Sequence, residues 1–215
     1  MRALLFDLDG VIVDTAKYHY IAWKKIAEEL GIEFTLEDNE RLKGVSRMRS
    51  FEIILEIGNV SMSDKEKEEY CTRKNEIYLD YIRKMGKEEV LPGVKDFIMD
   101  AREKDCKVAL GSASKNAVLI LERLELLDCF DEIIDGTKIS SAKPDPEVFT
   151  AGAKAFEIPN EECIVFEDAV AGIEAAHRGG MKAIGVGTKE ALPEADCNIS
   201  GFEGLKIEDI ENMLN

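Results

Sequence analysis

The stretch Ala3-Leu4-Leu5-Phe6-Asp7-Leu8-Asp9-Gly10 decides the fold of this chain. Its first four residues form a continuous apolar run, which is typical of a strand buried on both faces of a parallel sheet. Two carboxylates, Asp7 and Asp9, follow that run, and on an extended backbone they would leave the chain on the same side. Gly10 then allows the chain to turn sharply away from the strand.

The carboxylate pair limits what this turn can do. Two carboxylates so close repel each other, and removing them from water is costly unless a positive group neutralises them. A divalent cation such as Mg²⁺ is one answer, with further oxygen ligands supplied from elsewhere in the chain. A solvated acidic turn is an equal alternative for an arbitrary Asp-x-Asp-Gly sequence. A calcium loop fits less well, because Gly10 comes too early and no glutamate stands at the twelfth position of that pattern.

Composition and charge exclude several classes of partner. The 215 residues, 45% hydrophobic and 33% charged, suit one α/β domain or a core with a smaller insert. The 28 basic and 44 acidic residues leave a net charge of −16, which argues against non-specific binding to nucleic acid or to anionic membranes. We therefore expect neither of these partners. An anionic small molecule would need a local cluster of positive charge.

The cysteines and the apolar runs indicate a cytoplasmic protein. The five cysteines are odd in number and form no Cys-x-x-Cys pair, so packed, reduced thiols are favoured over a redox or zinc role. They are Cys71, Cys106, Cys129, Cys163 and Cys197. An aspartate at position 7 argues against a signal peptide, and no apolar run approaches the ~20 residues of a membrane span. We expect the chain to act as a monomer.

Apolar periodicity divides the chain into a core and an insert. Helical stripes occupy about seventy residues after Thr15, with a capping box at Ser63-Asp64-Lys65-Glu66. From Leu91 onward strands and helices alternate, which indicates a parallel sheet with helices on both faces. The predicted fold class is α/β: a Rossmann-like doubly wound parallel sheet core of residues 1–14 and 88–215, with an inserted α-helical cap of residues 15–87.

Polar motifs recur where strands of this core are predicted to end. Gly111-Ser112-Ala113-Ser114 follows one strand, Lys143-Pro144 precedes a helix, and Glu167-Asp168 follows a later strand. Ligands of open parallel sheets bind at the carboxyl ends of the strands. We therefore expect these motifs to meet Asp7 and Asp9 at one edge of the sheet.

In that order the four motifs resemble those of the haloacid dehalogenase superfamily, and the resemblance covers essentially the whole chain. The cap is similar, more narrowly, to the phosphoglucomutase branch of that superfamily. The residues that carry this second resemblance are Leu42-Lys43-Gly44-Val45-Ser46-Arg47 and Arg73-Lys74-Asn75 in the cap, and Ser112-Ala113-Ser114-Lys115-Asn116 in the core.

The resemblance implies a role for each matching residue. Asp7 would be the nucleophile that becomes an aspartyl phosphate, and Asp9 the general acid and base. Mg²⁺ would be held by Asp7, the backbone carbonyl of Asp9, Glu167 and Asp168. Ser112 and Lys143 would hold the transferring phosphate. The other implied substrate-binding, cap or hinge positions are Thr15, His19, Trp23, Leu42, Gly44, Val45, Ser46, Arg47, Lys74, Ala113, Ser114, Lys115 and Asn116.

The activity implied by the resemblance is isomerisation of a glucose phosphate, in which bisphosphorylated glucose serves as primer and intermediate. A magnesium-dependent phosphatase acting on a small sugar phosphate or phosphoglycolate is the alternative. Arg47 and His19 favour the mutase, because only a mutase must hold two phosphates and turn the intermediate round. A phosphate-binding regulatory protein without turnover is the third hypothesis, and the presence of both Asp7 and Asp9 argues against it.

Overall fold

The structure is a computed structural model, and it describes residues 2–42 and 45–214. The chain forms two compact units, one built from the residues up to Asp14 together with those from Gly86 onward, the other from Thr15–Met85. Gly86 and Lys87, which the sequence interpretation placed in the cap, thus fall in the first unit. Within the described ranges, no helix combines the length and the apolar character needed to cross a bilayer.

The elements follow one another as the periodicity predicts, except for the short helix Leu36–Glu40 and the short strand Cys197–Ile199, which it does not predict. The strands are β1 Ala3–Phe6, β2 Lys107–Gly111, β3 Glu132–Ile134, β4 Cys163–Glu167, β5 Lys182–Val186 and β6 Cys197–Ile199. The helices are α1 Ala16–Glu29, α2 Leu36–Glu40, α3 Arg47–Gly58, α4 Asp64–Ile82, α5 Val94–Glu103, α6 Ala117–Arg123, α7 Glu147–Ala155, α8 Val170–Arg178 and α9 Ile207–Leu214.

The first unit is organised around one parallel sheet with the strand order β3-β2-β1-β4-β5-β6. The chain builds outward from β1 on one side and then returns to add β4 on the other, so the strand order reverses beside β1. Such a reversal opens a crevice at the carboxyl ends of the strands. The predicted α/β, doubly wound fold class is confirmed.

Both faces of β1 are covered, which explains its continuous apolar run. Successive side chains of a strand point to opposite faces. Leu5 belongs to a buried cluster with Phe149 of α7 and Ala176 of α8. On the other face, Phe6 stacks on Phe166 with ring centroids 4.7 Å apart and meets Phe97 of α5 edge-on at 6.3 Å. The site at the end of β1 therefore stands on a rigid, fully packed strand.

The helical unit packs around aromatic side chains of α1 and α3. Trp23 stacks on Phe51 with ring centroids 5.8 Å apart, and Phe51 in turn meets Tyr70 of α4 at 5.4 Å. The capping box predicted at Ser63 is present at the start of α4, where the Ser63 hydroxyl accepts from the Glu66 N–H and the Glu66 carboxylate accepts from the Ser63 N–H. The sequence predicts a buried stripe of Val118, Leu121 and Leu124 along α6. Leu121 and Leu124 are buried, but Val118 is 38% exposed and Ile120 is buried in its place.

Candidate active site

Three strands end side by side at the carboxyl edge of the sheet. The parallel register pairs Phe6 with Leu110 of β2 and with Phe166 of β4. The residue after β1 is Asp7, whose N–H donates to the Phe166 carbonyl at 3.0 Å. Asp7 and Glu167 consequently lie at the same level of the sheet, as the sequence predicts from their positions after buried strands.

Asp7, Glu167 and Asp168 form a carboxylate cluster. Each offers an oxygen within 4.8 Å of the oxygens of the other two, and the Asp7 and Glu167 side chains are buried. Burial, the largest cause, and the neighbouring carboxylates raise the pKa of Asp168 to about 8 and the pKa of Asp7 to about 7. A set of carboxylate oxygens with excess negative charge fits Mg²⁺, which prefers such ligands.

Lys143 supplies a positive charge to this cluster. Its Nζ donates to Oδ1 of Asp7 and, at 2.8 Å, to Oε1 of Glu167, and its side chain is 9% exposed. Burial alone would lower the pKa of Lys143, but the charges of Asp7 and Glu167 outweigh burial and raise it. Lys143 is therefore an ammonium at neutral pH, a charge state suited to hydrogen bonding with phosphate oxygens.

Two glycines make room for the carboxylates. A Cβ on Gly10, which has a φ of +78°, would overlap the Asp168 carboxylate, and a Cβ on Gly172 of α8 would overlap Oε1 and Cδ of Glu167. Sequence reasoning assigned Gly10 to the turn after β1 but missed Gly172. A glycine in the first turn of a helix, directly after an acidic strand end, was the available signal.

The loop after β2 is organised by its own serines. Ser112 is buried, and its N–H donates to the Ile134 carbonyl at 2.9 Å. The Ser112 hydroxyl accepts from the Ser114 N–H at 3.1 Å, and the Ser114 hydroxyl accepts from the Asn116 N–H at 3.2 Å. Ala113 and Lys115 of this loop are exposed. Consecutive polar groups held in this way can bind an anion.

Asp9 and Thr15 lie on the segment that leaves β1. The Asp9 carboxylate is outside the cluster of three, yet its charge contributes to raising the pKa values of Asp7 and Asp168. Asp9 therefore contributes to the negative charge around the cluster. Thr15 is buried, and its carbonyl accepts the N–H groups of Tyr18 and His19 at the start of α1.

Three predicted residues of the helical unit meet in one cluster. Lys74 is 2% exposed, and its Nζ lies 2.6 Å from His19 Nδ1 and 4.9 Å from the centre of the Trp23 ring. Burial first, then Lys74 and Arg47, lower the pKa of His19 well below its ordinary value, so the imidazole is neutral at neutral pH. Tyr78, one helical turn after Lys74, completes the cluster with its ring 4.8 Å from Nζ, and sequence reasoning missed it.

The loop before α3 carries the remaining predicted positions. Leu42 is buried, Val45 is 39% exposed, and Arg47 is exposed at the first position of α3. The Ser46 hydroxyl caps α3 by accepting a backbone N–H at 3.2 Å. The Lys43-Gly44 pair lies outside the described residues.

Comparison with known proteins gives a consistent result. The model of the haloacid dehalogenase-like hydrolase family matches residues 1–180. The β-phosphoglucomutase of Bacillus subtilis is 41% identical over 210 residues, which is 97% of this chain and 93% of that protein. A crystal structure of the Clostridium difficile β-phosphoglucomutase is 41% identical and superposes with a TM-score of 0.94 over 100% of this chain and 97% of the other. A phosphorylated carbohydrates phosphatase of Thermotoga maritima is 28% identical over 100% of this chain and 98% of the relative.

Proposed function

This chain belongs to the haloacid dehalogenase-like hydrolase family, and from that premise we propose that it interconverts β-D-glucose 1-phosphate and glucose 6-phosphate. The observation that carries the proposal is the Asp7 carboxylate, buried at the end of the central strand and paired with the Lys143 ammonium beside Glu167 and Asp168. The choice of a mutase rests on the 41% identity to the Bacillus subtilis enzyme, which extends over 97% of the chain. The active species is proposed to be a single chain.

Asp7 is proposed as the nucleophile. Its carboxylate oxygen attacks phosphorus, the bond from phosphorus to the sugar oxygen breaks, and the phosphoryl group is carried as an aspartyl phosphate. Asp9 donates a proton to the departing sugar oxygen and recovers one from the hydroxyl that attacks in the second half-reaction. Two successive transfers through the bisphosphorylated intermediate, β-glucose 1,6-bisphosphate, move the phosphate between positions 1 and 6 of glucose.

The other groups of the core are proposed to bind the phosphoryl oxygens and Mg²⁺. Lys143 and Ser112 bind the phosphoryl oxygens, where the ammonium offsets the charge of the transferring group. Asp7, Glu167, Asp168 and the backbone carbonyl of Asp9 would hold Mg²⁺, whose chemistry when bound is to neutralise phosphoryl oxygens during in-line transfer. Lys115 and its neighbours in the loop after β2 are assigned to the second phosphate.

Residues of the helical unit are proposed to select a substrate that carries two phosphates. Arg47 would bind the phosphate that is not being transferred, because a guanidinium can make two parallel hydrogen bonds to phosphate oxygens. His19 and Lys74 are assigned to the sugar and to closure over it. A phosphatase that acts on a monophosphate needs no binding site for a second phosphate. Loss of Arg47 should therefore distinguish mutase activity from phosphatase activity.

The experiment that tests this proposal compares isomerisation with hydrolysis. The α and β anomers of glucose 1-phosphate are offered separately, with Mg²⁺ and a glucose bisphosphate primer. Glucose 6-phosphate and free phosphate are then measured in the same samples. We expect glucose 6-phosphate from the β anomer, with little free phosphate. Free phosphate without glucose 6-phosphate would overturn the mutase and favour a phosphatase, the activity named for the Thermotoga maritima relative.

A further inference from the structure

Glu147, the first residue of α7, closes the loop that carries Lys143. A single oxygen of its carboxylate, Oε2, accepts three hydrogen bonds from two consecutive residues. The Ser140 N–H donates at 2.8 Å, the Ser140 hydroxyl at 2.9 Å and the Ser141 N–H at 2.8 Å. The carboxylate thus ties the loop before Lys143 to the helix after it.

The loop is also closed on the helix side of Lys143. The Asp145 N–H donates to the Ala142 carbonyl at 3.0 Å, and the Asp145 carboxylate accepts the Glu147 N–H at 2.9 Å. The chain on each side of Lys143 is therefore fixed by hydrogen bonds that lead back to Glu147. None of these bonds involves a group assigned to the reaction.

The position of Lys143 needs such support. A lysine side chain has four rotatable bonds and loses much conformational entropy when it is held in one place. Its Nζ nevertheless reaches two carboxylates, at the ends of β1 and β4, and lies 4.8 Å from the centre of the Phe149 ring of α7. A small shift of the loop would withdraw the ammonium from one carboxylate or from both.

We propose that Glu147 is a positioning residue, whose carboxylate holds the loop of Lys143 against the start of α7 and so fixes the ammonium at the carboxylate cluster. The catalytic consequence rests on the proposed function, in which Lys143 binds the transferring phosphoryl group. The loop geometry does not depend on which sugar phosphate is the substrate. Misplacing a catalytic group by about 1 Å can cost roughly 100-fold in rate.

A different explanation is that Glu147 stabilises α7 by its charge alone. Acidic residues in the first turn of a helix interact favourably with the helix dipole. The two explanations predict opposite results for two conservative variants. Glu147→Gln keeps the length of the side chain and one acceptor oxygen but loses the charge. Glu147→Asp keeps the charge but is one methylene shorter, so its carboxylate cannot reach the loop in the same way.

The experiment measures loop protection and phosphoryl transfer in both variants of the full chain. Amide hydrogen exchange at Ser140 and Ser141 reports the loop, and hydrolysis of p-nitrophenyl phosphate with Mg²⁺ reports transfer to Asp7 without reference to a sugar. We expect Glu147→Asp to lose most of the amide protection and to lower kcat by about 10- to 100-fold. Glu147→Gln should retain protection and stay within about threefold of the wild-type kcat.

Two controls separate positioning from general stability. Asp100→Asn alters a carboxylate of the same unit that accepts a backbone N–H, from Ile207 at 3.0 Å, and it should leave kcat unchanged. In a Lys143→Ala background, Glu147→Asp should have no further effect on kcat. The proposal is overturned if Glu147→Gln is the impaired variant, or if Glu147→Asp lowers kcat equally with and without Lys143. If Glu147→Asp loses amide protection at Ser140 and Ser141 but keeps its kcat, the positioning role of Glu147 in catalysis is refuted. That result would not bear on the proposed sugar substrate.

Discussion

Replacing Gly172 by alanine should destabilise the protein, although the helix around it favours the opposite result. Gly172 is the third residue of α8, and alanine in place of glycine inside a helix is ordinarily stabilising by about 1 kcal/mol. Here a Cβ would occupy the space of Oε1 and Cδ of Glu167, a side chain that is 1% exposed. The Glu167 carboxylate would have to move.

The cost of that movement follows from the hydrogen bonds that Glu167 makes. Its Oε2 accepts the N–H groups of Asp168 at 2.7 Å and Ala169 at 3.0 Å, and its Oε1 accepts from Lys143 at 2.8 Å. A neutral hydrogen bond contributes about 1 kcal/mol and a charge-assisted one about 2 kcal/mol. Losing them outweighs the gain in helix propensity, so we expect Gly172→Ala to lower the free energy of unfolding by about 2–4 kcal/mol.

Urea unfolding of the metal-free protein measures this loss, and titration calorimetry measures Mg²⁺ affinity, which should fall at least about tenfold because Glu167 is a proposed ligand. Gly152→Ala is the matched control. Its Cβ would lie 2.6 Å from a methyl group of Leu5, so it should destabilise the core by about 1–3 kcal/mol and leave Mg²⁺ affinity unchanged. In a Glu167→Asp background, the shorter carboxylate should remove most of the penalty of Gly172→Ala. A more stable Gly172→Ala protein with normal Mg²⁺ affinity would refute this reasoning.

Four further predictions concern the site. Asp7→Asn should abolish turnover in a folded protein, and substrate-dependent phosphorylation of another residue, seen by mass spectrometry, would contradict it. Asp9→Ala should slow phosphoryl transfer to the sugar hydroxyl, measured by single-turnover kinetics, far more than it weakens Mg²⁺ binding, measured by calorimetry. A large loss of Mg²⁺ affinity with a normal transfer rate would argue against Asp9 as the general acid and base. Because the pKa of Asp168 is raised to about 8 and that of Asp7 to about 7, the folded metal-free protein binds protons more tightly than the unfolded chain. Its stability should therefore fall as the pH rises from about 4 to about 8, less so in Asp168→Asn, and a urea midpoint independent of pH would contradict this. Arg47→Ala should lower mutase flux by about 10- to 100-fold, whereas hydrolysis of the phosphorylated enzyme should change little. Arg47→Lys should restore part of the flux. If Arg47→Ala slows both rates equally, the reason for assigning Arg47 to the second phosphate is lost.

The core of the fold could be predicted because its strong signals are local. The apolar run of β1, the serine loop after β2 and the acidic end of β4 are each contiguous in sequence, and strand ends of a parallel sheet meet at one edge. Two short elements were missed, α2 Leu36–Glu40 and β6 Cys197–Ile199. Neither is long enough to show a period, and β6 is an edge strand stabilised by pairing with β5.

Sequence reasoning missed those site residues whose roles depend on a contact with another segment of the chain or on the absence of a side chain. Glu147 contacts a loop six and seven residues earlier, which no helical or strand period connects to it. Gly172 is required because a side chain there would overlap the Glu167 carboxylate, and this overlap is apparent only once the position of Glu167 is known. Tyr78 lies one turn after Lys74 on α4, but its ring also packs against His19 of α1 with ring centroids 4.2 Å apart, and the sequence gives no sign of that contact between two helices.

The charge balance of the cluster explains why a protein with a net charge of −16 can bind a phosphate. When its three carboxylates are ionised, the cluster of Asp7, Glu167, Asp168 and the Lys143 ammonium carries two excess negative charges. A divalent cation would bring that sum to zero, but it would not by itself attract a phosphoryl dianion. The remaining attraction must come from hydrogen-bond donors around the cluster, and the serine loop after β2 presents them already ordered by its own hydroxyls. The site is therefore best understood as a neutralised cluster with directed donors, in which geometry rather than net charge selects the phosphate.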